Sequence, residues 1–276
     1  MPLQLAFPQC DQKILFPYAE AQGHGGNFTP MMLSGRNPNC SALVDIWGMN
    51  IVKTLPSVAY TLAVISDNVN DTAAGTGART VQINYLDANF LPHVAIYALN
   101  GQTAVTNATS VDGVVTGLPI TNVLRINQCE VITAGAGAAN AGNIYACDST
   151  NTYTAGVPQT TSKVFDMILI GDNIDSSSSF TVPFGYRLAI LGILPALNDI
   201  TVTPKFGKVQ LKQTTGANGI FMSYDIGGIT SNNNPDILQL PLWPIAEEMS
   251  EIKGMAVASA ATEAGILICG LLWKWR

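Results

Sequence analysis

The chain has 276 residues, of which 47% are hydrophobic and only 12% charged, and its formal net charge is −6. This length allows one large domain or two ordinary ones. The charged fraction is about half of the ~25% usual in soluble proteins, which is typical of a surface partly buried in an assembly. A neutral, secreted or thermally robust β domain is the alternative. No cluster of Lys and Arg could neutralise phosphates, so we expect no nucleic-acid ligand.

The first 42 residues are predicted to form an extended arm. Five prolines fall within them, and proline restricts the preceding residue and lacks a backbone N–H, so a long regular element is hard to sustain. The segment is nevertheless too apolar for a disordered tail. We expect it to lie on a neighbouring subunit, the alternative being an arm that wraps over its own domain. The aromatic residues expected to make this contact are Phe7, Phe16, Tyr18 and Phe28.

The N-terminus lacks the basic segment and continuous apolar stretch of a secretory signal. The longest apolar run, Gly265–Trp273, is about half of the ~20 residues that a membrane helix requires. We therefore expect this run to be a buried strand and expect no membrane partner.

Residues 43–150 are predicted to form a β-sandwich. In Thr80–Leu86 apolar and polar residues alternate, which predicts a sheet with one solvated face. Asn100-Gly101 follows the strand-like run Val94–Leu99, and this dipeptide predicts a tight hairpin that returns through Gln102–Val105.

Residues 147–161 are polar and small, and they mark the predicted boundary between two domains. Beyond it, residues 151–276 contain short strand-like runs separated by Gly, Asn, Ser and Pro. This pattern predicts a second, jelly-roll-like β domain, so the fold class is all-β. Within it only Ala246–Ile252 is predicted to be helical, over about two turns.

Two glycine-rich segments imitate nucleotide-binding loops but are predicted to be tight turns. The stretch Gly75–Thr80 leads into a strand, where a phosphate-binding loop would need a helix. In Glu130–Gly142 the third glycine comes five residues after Gly137 instead of the three of a dinucleotide fingerprint. We therefore expect no nucleotide and no other cofactor.

Catalytic and metal-binding constellations are sparse, so we expect neither an enzyme nor a metal site. The two histidines, His24 and His93, are predicted to be solvated loop residues. Adjacent Glu247 and Glu248 would diverge by about 100° on a helix and could not act as facing carboxylates. A further acidic group consists of Asp67, Asp71 and Asp87. Asx turns at strand ends are the favoured role of these residues, and a calcium site is the alternative, although the residue order of an EF-hand is missing.

The cysteines are odd in number, widely spaced and without a CxxC motif, which argues against zinc and a dense disulfide frame. Isolated buried thiols are the favoured interpretation, with a Cys129–Cys147 disulfide as the alternative. The five are Cys10, Cys40, Cys129, Cys147 and Cys269.

Tryptophans form the last constellation. Trp273 and Trp275 would share one face of a strand, and Trp243 lies between a leucine and a proline. These side chains could anchor an interface, fill a core or, more weakly, offer a platform for carbohydrate.

Several motifs occur in an order that resembles a module of virion structural proteins of tailed bacteriophages. They are the turn DTAAGTGAR at 71–79, LDAN at 86–89, the LNG hairpin at 99–101, RIN at 125–127 and the return AGAGAANAGNI at 134–144. The later run FTVPFGYRLAILG at 180–192 is similar to the opening strands of the second β domain in such proteins.

This resemblance implies a non-enzymatic virion protein, in which the GTGAR segment is a turn and Arg79 pairs locally or with a neighbouring chain. A capsid decoration or cement protein that stabilises the head shell is the leading expectation. The alternative is a collar, head-fibre or tail-associated protein that binds a receptor or glycan. The implied partners are the major capsid protein, other virion subunits and copies of the chain itself, in the form of a trimer, within a virion assembled in the host cytoplasm.

Overall fold

The computed structural model describes residues 28–198, 206–214, 222–230, 245–259 and 262–274. Over these residues the protein is all-β, which confirms the predicted class, and its helical content is one 3-10 turn at Thr161–Lys163. No described segment is a helix long and apolar enough to cross a membrane. The strands before that turn are β1 (Phe28–Asn37), β2 (Val44–Asp45), β3 (Leu62–Ser66), β4 (Ala78–Asp87), β5 (Pro92–Ala98), β6 (Ser110–Val111), β7 (Val114–Val115), β8 (Val123–Ala134), β9 (Ile144–Asp148), β10 (Tyr153–Thr154) and β11 (Val157–Pro158). Those after it are β12 (Val164–Ile168), β13 (Phe180–Thr181), β14 (Tyr186–Asn198), β15 (Phe206–Gln213), β16 (Met222–Thr230), β17 (Ile245–Ala246), β18 (Glu251–Ala258) and β19 (Glu263–Lys274).

A first hydrophobic core lies between a five-stranded sheet, in the order β7-β6-β5-β4-β8, and a three-stranded sheet, β12-β9-β3. In β4 the side chains of Val81, Ile83 and Tyr85 are buried, and the intervening Gln82 and Asn84 are half-exposed. The predicted alternation is therefore confirmed. The other face of the three-stranded sheet is covered by Trp47, whose indole N–H donates to the carbonyl of Ile51 at 2.9 Å.

A second hydrophobic core is enclosed by two further sheets. One has the order β1-β19-β14-β17, and the other β13-β18-β15-β16, with β2 added beside β18. The central strand β19 alternates strictly, because Ala264, Ile266 and Ile268 are buried and the residues between them are half-exposed. This period of two places one face of the strand on the core.

The predicted arm differs from the structure in its last third. Strand β1 pairs with β19 over ten residues, from Phe28 opposite Trp273 to Asn37 opposite Ala264, and Leu33 belongs to the second core. Pro30 is compatible with this strand because β1 lies at the sheet edge, where a missing N–H is tolerated. Residues 1–27 lie outside the described part of the chain.

The predicted boundaries at 42 and 150 also differ from the observed grouping of strands. Val44 and Ile46 lie in the second core, although they fall within the predicted first domain. Conversely, β12 pairs with β9 in the three-stranded sheet of the first core, and Phe165 and Ile168 are buried there. Pairing between strands far apart in sequence decides this grouping, and local composition does not reveal it.

The predicted hairpin at Asn100-Gly101 is wrong. Val105, in the predicted return strand, pairs instead with Val64 through hydrogen bonds in both directions. Gly101 contacts the 66–73 loop, because its N–H donates to the backbone carbonyl of Asp71 at 2.7 Å. A tight hairpin occurs later, at Asp112-Gly113, where φ is +50° and +79°. Those values fit a type I′ turn between β6 and β7.

The predicted helix at 246–252 is also wrong. Ala246 ends β17, a turn comes next, and Glu251 begins β18. Met249 has φ +60°, which no α-helix accommodates. The pairing of Ala246 with Leu188 and the burial of Glu251 override the helix propensity of this segment.

Candidate interaction surfaces

The two glycine-rich segments meet around the buried carboxylate of Asp71. Its Oδ1 accepts the N–H groups of Ala78 at 2.7 Å and Ala141 at 2.8 Å, and its Oδ2 accepts Ser66 Oγ at 2.6 Å and Gly142 N–H at 2.9 Å. All these donors belong to the protein's own chain. The segments therefore form a closed structural joint, and the predicted turns are confirmed.

Glycine is required in this joint by close approach. A Cβ on Gly75 would lie 2.0 Å from the Asn70 carbonyl oxygen, and one on Gly135 would lie 2.2 Å from the Gly75 carbonyl oxygen. The half-buried Arg79 donates from Nε to that same Gly75 carbonyl at 3.0 Å. This contact is local, and pairing of Arg79 with a neighbouring chain stays a prediction.

The acidic residues that offered a calcium alternative act as acceptors for the chain itself. Asp87 Oδ1 accepts the N–H groups of Asn89 at 2.8 Å and Leu91 at 2.9 Å, so it forms the predicted Asx turn after β4. Asp67 Oδ1 accepts the N–H of Asn143 at 2.8 Å. Within the described ranges, no group of three or more His, Cys, Asp or Glu side chains is arranged to hold a metal ion.

His93 is not the solvated loop residue that the sequence predicted. It lies in β5, its Nδ1 is 2.7 Å from Asp112 Oδ2, and its ring stacks on Tyr85 with centroids 5.3 Å apart. The second histidine, His24, lies outside the described residues.

The described cysteines carry no disulfide, which confirms the favoured interpretation over a Cys129–Cys147 bond. Cys40, Cys129 and Cys147 are buried, and Cys269 is half-buried. Burial raises the pKa of Cys40 to about 11.

The predicted aromatic contact residues are only partly covered by the structure. Trp273 is half-buried in β19, and because its neighbour Leu272 packs on the second core, the alternation of the strand puts Trp273 on the outer face. Phe28 opens β1. The remaining predicted residues, Phe7, Phe16, Tyr18, Trp243 and Trp275, lie outside the described ranges.

An exposed apolar hairpin closes the five-stranded sheet. Val114 is 67% exposed, Val115 87% and Leu118 65%, and we call this segment, residues 110–118, the edge hairpin. No described strand pairs with the outer edge of β7. Soluble proteins normally protect such edges with charge, proline or a covering element, so an apolar edge is typical of a contact with another chain.

A groove of about 260 Å³ runs between the sheets of the two cores. One wall is apolar and comes from β1 and β13, including Met31, Leu33 and Phe180. The opposite wall is polar, with Asn84 donating from Nδ2 to Gln128 Oε1 at 2.9 Å. This volume is below the ~300–1,000 Å³ of typical small-molecule sites, and it suits one or two side chains of a partner.

A buried polar layer joins the two cores. Arg125 of β8 contacts Glu251 of β18, with 2.5 Å between Nε and Oε1, and both side chains are less than a tenth exposed. The Arg125 Nη1 also donates to the carbonyl of Pro56. Asn127 of β8 makes two hydrogen bonds with the backbone of Thr181 in β13, both at 2.9 Å.

The same layer contains a buried charge cluster, made of Asp45, Lys53, Asp166, Asp175 and Lys253. Lys253 Nζ is 2.9 Å from Asp45 Oδ2, and Lys53 Nζ is 3.8 Å from Asp166 Oδ1. Burial, together with the charge of Asp166, raises the pKa of Asp175 well above its usual range, which favours its neutral form. Asp166 Oδ2 is buried and has no hydrogen-bond partner among the described residues.

The sequence pattern did not predict this cluster. Its members are far apart along the chain, and each is an ordinary polar residue when taken alone. The one available signal was Asp166, an acidic residue inside the apolar run VFDMILI at 164–170. A carboxylate in a strand that is otherwise apolar needs a buried partner.

No protein-family model matches the chain, and no curated protein matches it. Its function must therefore be inferred from the residues and from the strand order.

Proposed function

We propose that the protein is a non-enzymatic structural component of a tailed-phage virion that binds and stabilises the head shell. The observation that carries the proposal is the arrangement of eight strands, β1 and β13–β19, in two sheets around the second core, four in each, with β2 as a fifth strand beside β18. The orders β1-β19-β14-β17 and β13-β18-β15-β16 support a jelly-roll arrangement, and viral capsid domains use this architecture repeatedly.

The finer architecture belongs to the same proposal. The second core is a jelly-roll domain whose first strand is β1, and the segment β3–β12 is a smaller β-sandwich inserted between its first and second strands. Support comes from the two separate cores and from β1 and β2, which join the sheets of the second core before the chain enters the first. The proposed arrangement has two domains, with an insertion in place of the predicted boundary near residue 150.

The proposed partners are the major shell protein and further copies of the chain, with a trimer as the proposed assembly. The edge hairpin is the proposed contact, because three large apolar side chains are exposed beside a sheet edge that no described strand covers. A chain with 12% charged residues has little charge repulsion to keep such surfaces apart. Many weak contacts repeated by symmetry would then add to firm attachment.

Reattachment to particles tests this proposal. Phage heads are stripped of the protein by mild denaturant or low salt, and the purified full chain is added back and cosedimented with them. We expect saturable binding and a higher temperature of head disruption. Heads that bind none of the added chain, under conditions where native heads retain it, would contradict the proposal.

A second candidate function, in a collar, head fibre or tail, has one observation in its favour. Jelly rolls also occur in lectins, and Trp273 lies on the outer face of its sheet. Binding of the isolated chain to host cells or to a glycan array, lost in Trp273→Ala, would support this candidate. Tryptophan fluorescence that no sugar changes would count against it.

A further inference from the structure

Lys53 and Asp166 place an amine and a carboxyl group side by side in the interior. Lys53 lies in the segment between β2 and β3, Asp166 lies in β12, and their side chains are 4% and 1% exposed. The distance between Lys53 Nζ and Asp166 Oδ1 is 3.8 Å. An apolar ring also faces the pair, since the Trp47 ring centroid is 5.5 Å from Nζ. Water has little access to either group.

The hydrogen bonds of Lys53 hold its nitrogen near Asp166. The ammonium group has three N–H donors, and two of them bind Ser177 Oγ at 3.0 Å and Ser179 Oγ at 2.7 Å. The third N–H has no hydrogen bond to Asp166, whose Oδ1 is 3.8 Å from the nitrogen. If that proton moves to Asp166, the amine keeps both serine contacts and gains a lone pair.

Asp175 provides the acid that such a reaction needs. It is buried near Asp166, and this burial raises its pKa well above its usual range, which favours the neutral form. With Asp175 protonated, the buried charge cluster balances, because Lys53 and Lys253 then face two carboxylates, Asp45 and Asp166. A neutral acid beside Asp166 polarises the carbonyl that an amine would attack.

We propose that Lys53 and Asp166 condense to an isopeptide bond that covalently joins the 46–60 segment to β12. The C–N bond forms between Lys53 Nζ and Asp166 Cγ, and one C–O bond of Asp166 breaks. Overall, the ammonium and the carboxylate yield an amide and one water molecule. Charge is conserved, no electron is transferred, and no cofactor or co-reactant takes part.

Burial supplies the driving force and a place for the product. The amide replaces two charges that are costly to keep out of water. A cavity of about 10 Å³ borders Lys53, Phe165 and Ser179, and it has room for roughly one water molecule. This cavity is on the Lys53 side of the pair, where it can accept the released water.

The neighbouring pair, Lys253 and Asp45, is an internal comparison. Their 2.9 Å contact is shorter than that of Lys53 and Asp166. Asp45 Oδ2 accepts the N–H of Lys53 at 2.6 Å, and Asp166 Oδ1 likewise accepts the N–H of Met167 at 2.9 Å. The feature that sets the Asp166 pair apart is the second buried carboxyl group, Asp175, beside Asp166. We expect Lys253 and Asp45 to remain an ion pair.

Mass spectrometry of the purified full chain tests the proposal without any particle. After unfolding and reduction, we expect the intact mass to fall short of the sequence mass by one water. Trypsin should then give a branched peptide in which residues 37–79, uncut at Lys53, are joined to residues 164–187. An intact mass equal to that of the sequence, with separate peptides 37–53 and 54–79, would overturn the proposal.

Variants test which residues form the bond and which one supplies the acid. Lys53→Arg keeps the charge but removes the nucleophile, so it should have the full sequence mass, and the matched control Lys253→Arg should still lose one water. Asp175→Asn should link at least about tenfold more slowly, because the acid is lost. Linkage of Asp175→Asn at the wild-type rate would refute the role of Asp175, and water loss in Lys53→Arg would refute the bond itself. Neither measurement depends on attachment to a virion, so the proposed function can fail independently.

Discussion

At the residue scale, a single buried polar group, the Asp71 carboxylate, holds together the two glycine-rich segments whose role was ambiguous in the sequence. The glycine spacing of these segments is similar to that of ligand-binding loops. The sequence does not show that both segments bind Asp71, because that contact is visible only in the folded structure. Four donors from three parts of the chain converge on that one carboxylate. The glycines were predicted as tight turns because a strand, and not a helix, comes after each segment. Which carbonyl excludes a side chain at each glycine could not be predicted.

Asp71→Asn should destabilise the fold by about 3 kcal/mol, because the amide cannot accept from all four donors and its NH₂ group faces other N–H groups. Urea unfolding monitored by circular dichroism measures this change. Asp148→Asn is the matched control, since Asp148 accepts only from Thr150 in an exposed turn, and its expected effect is below about 0.5 kcal/mol. Equal effects of the two variants would refute the structural role of Asp71.

Thiol reactivity should depend on burial. With a pKa of about 11, Cys40 is a thiolate in roughly one molecule in a thousand at pH 8, and it is also enclosed, so iodoacetamide should leave it unlabelled in the native chain. The half-buried Cys269 should be labelled before Cys40, and denaturant should expose both. Peptide mass spectrometry gives the labelling order. Rapid native labelling of Cys40 would contradict its placement in the second core.

At the element scale, strands were predictable where one face of a sheet is solvated, because alternation then appears in the sequence. Strand β4 is such a case, with Gln82 and Asn84 outward between buried neighbours. Strand β1 was not predicted because the prolines of the N-terminal segment argue against a strand, although an edge strand tolerates proline. The hairpin predicted at Asn100-Gly101 does not form, because these residues pair with the 66–73 loop. Lys53, Asp166 and Asp175 carry no local signal that links them. Contacts across long sequence separations therefore limited the prediction of both fold and site.

Substitution in the edge hairpin should separate attachment from folding. In Val115→Lys, a charge would have to be desolvated in any contact with a partner, so attachment to stripped heads should weaken at least about tenfold while the unfolding midpoint stays unchanged. Val69→Lys is the control, since Val69 is a similarly exposed valine, at 64%, in a loop. Cosedimentation at graded protein concentration gives both affinities. Unaltered attachment of Val115→Lys would exclude the edge hairpin as the contact.

At the scale of the whole molecule, the buried polar layer joins the two cores, and we expect them to unfold as one unit. The Glu251 carboxylate accepts hydrogen bonds from Arg125 of β8 and from the Thr181 hydroxyl, the latter at 3.2 Å. Arg125 also donates to the carbonyl of Pro56. Ion pairs of this kind add little net stability over apolar packing, but loss of one partner leaves a buried charge uncompensated. The layer therefore couples the cores more than it stabilises either one.

Glu251→Gln should lower the stability by about 3 kcal/mol, because Arg125 would keep its charge without a carboxylate. The coupling should also weaken, so one unfolding transition should become two. Differential scanning calorimetry measures both effects. Glu247→Gln is the control, because its contact with Arg187, at 2.6 Å between Oε2 and Nε, is exposed. A single, unshifted transition in Glu251→Gln would contradict the coupling.

The proposed role of this chain as a building block of a virus particle is tested most directly by the copy number of the chain in purified virions. Quantitative mass spectrometry against the major shell protein gives that ratio. We predict a fixed ratio of the same order as the shell subunit, unchanged after repeated gradient purification. Virions that contain no copy of the chain, while it accumulates as a monomer in the infected-cell lysate, would contradict this role.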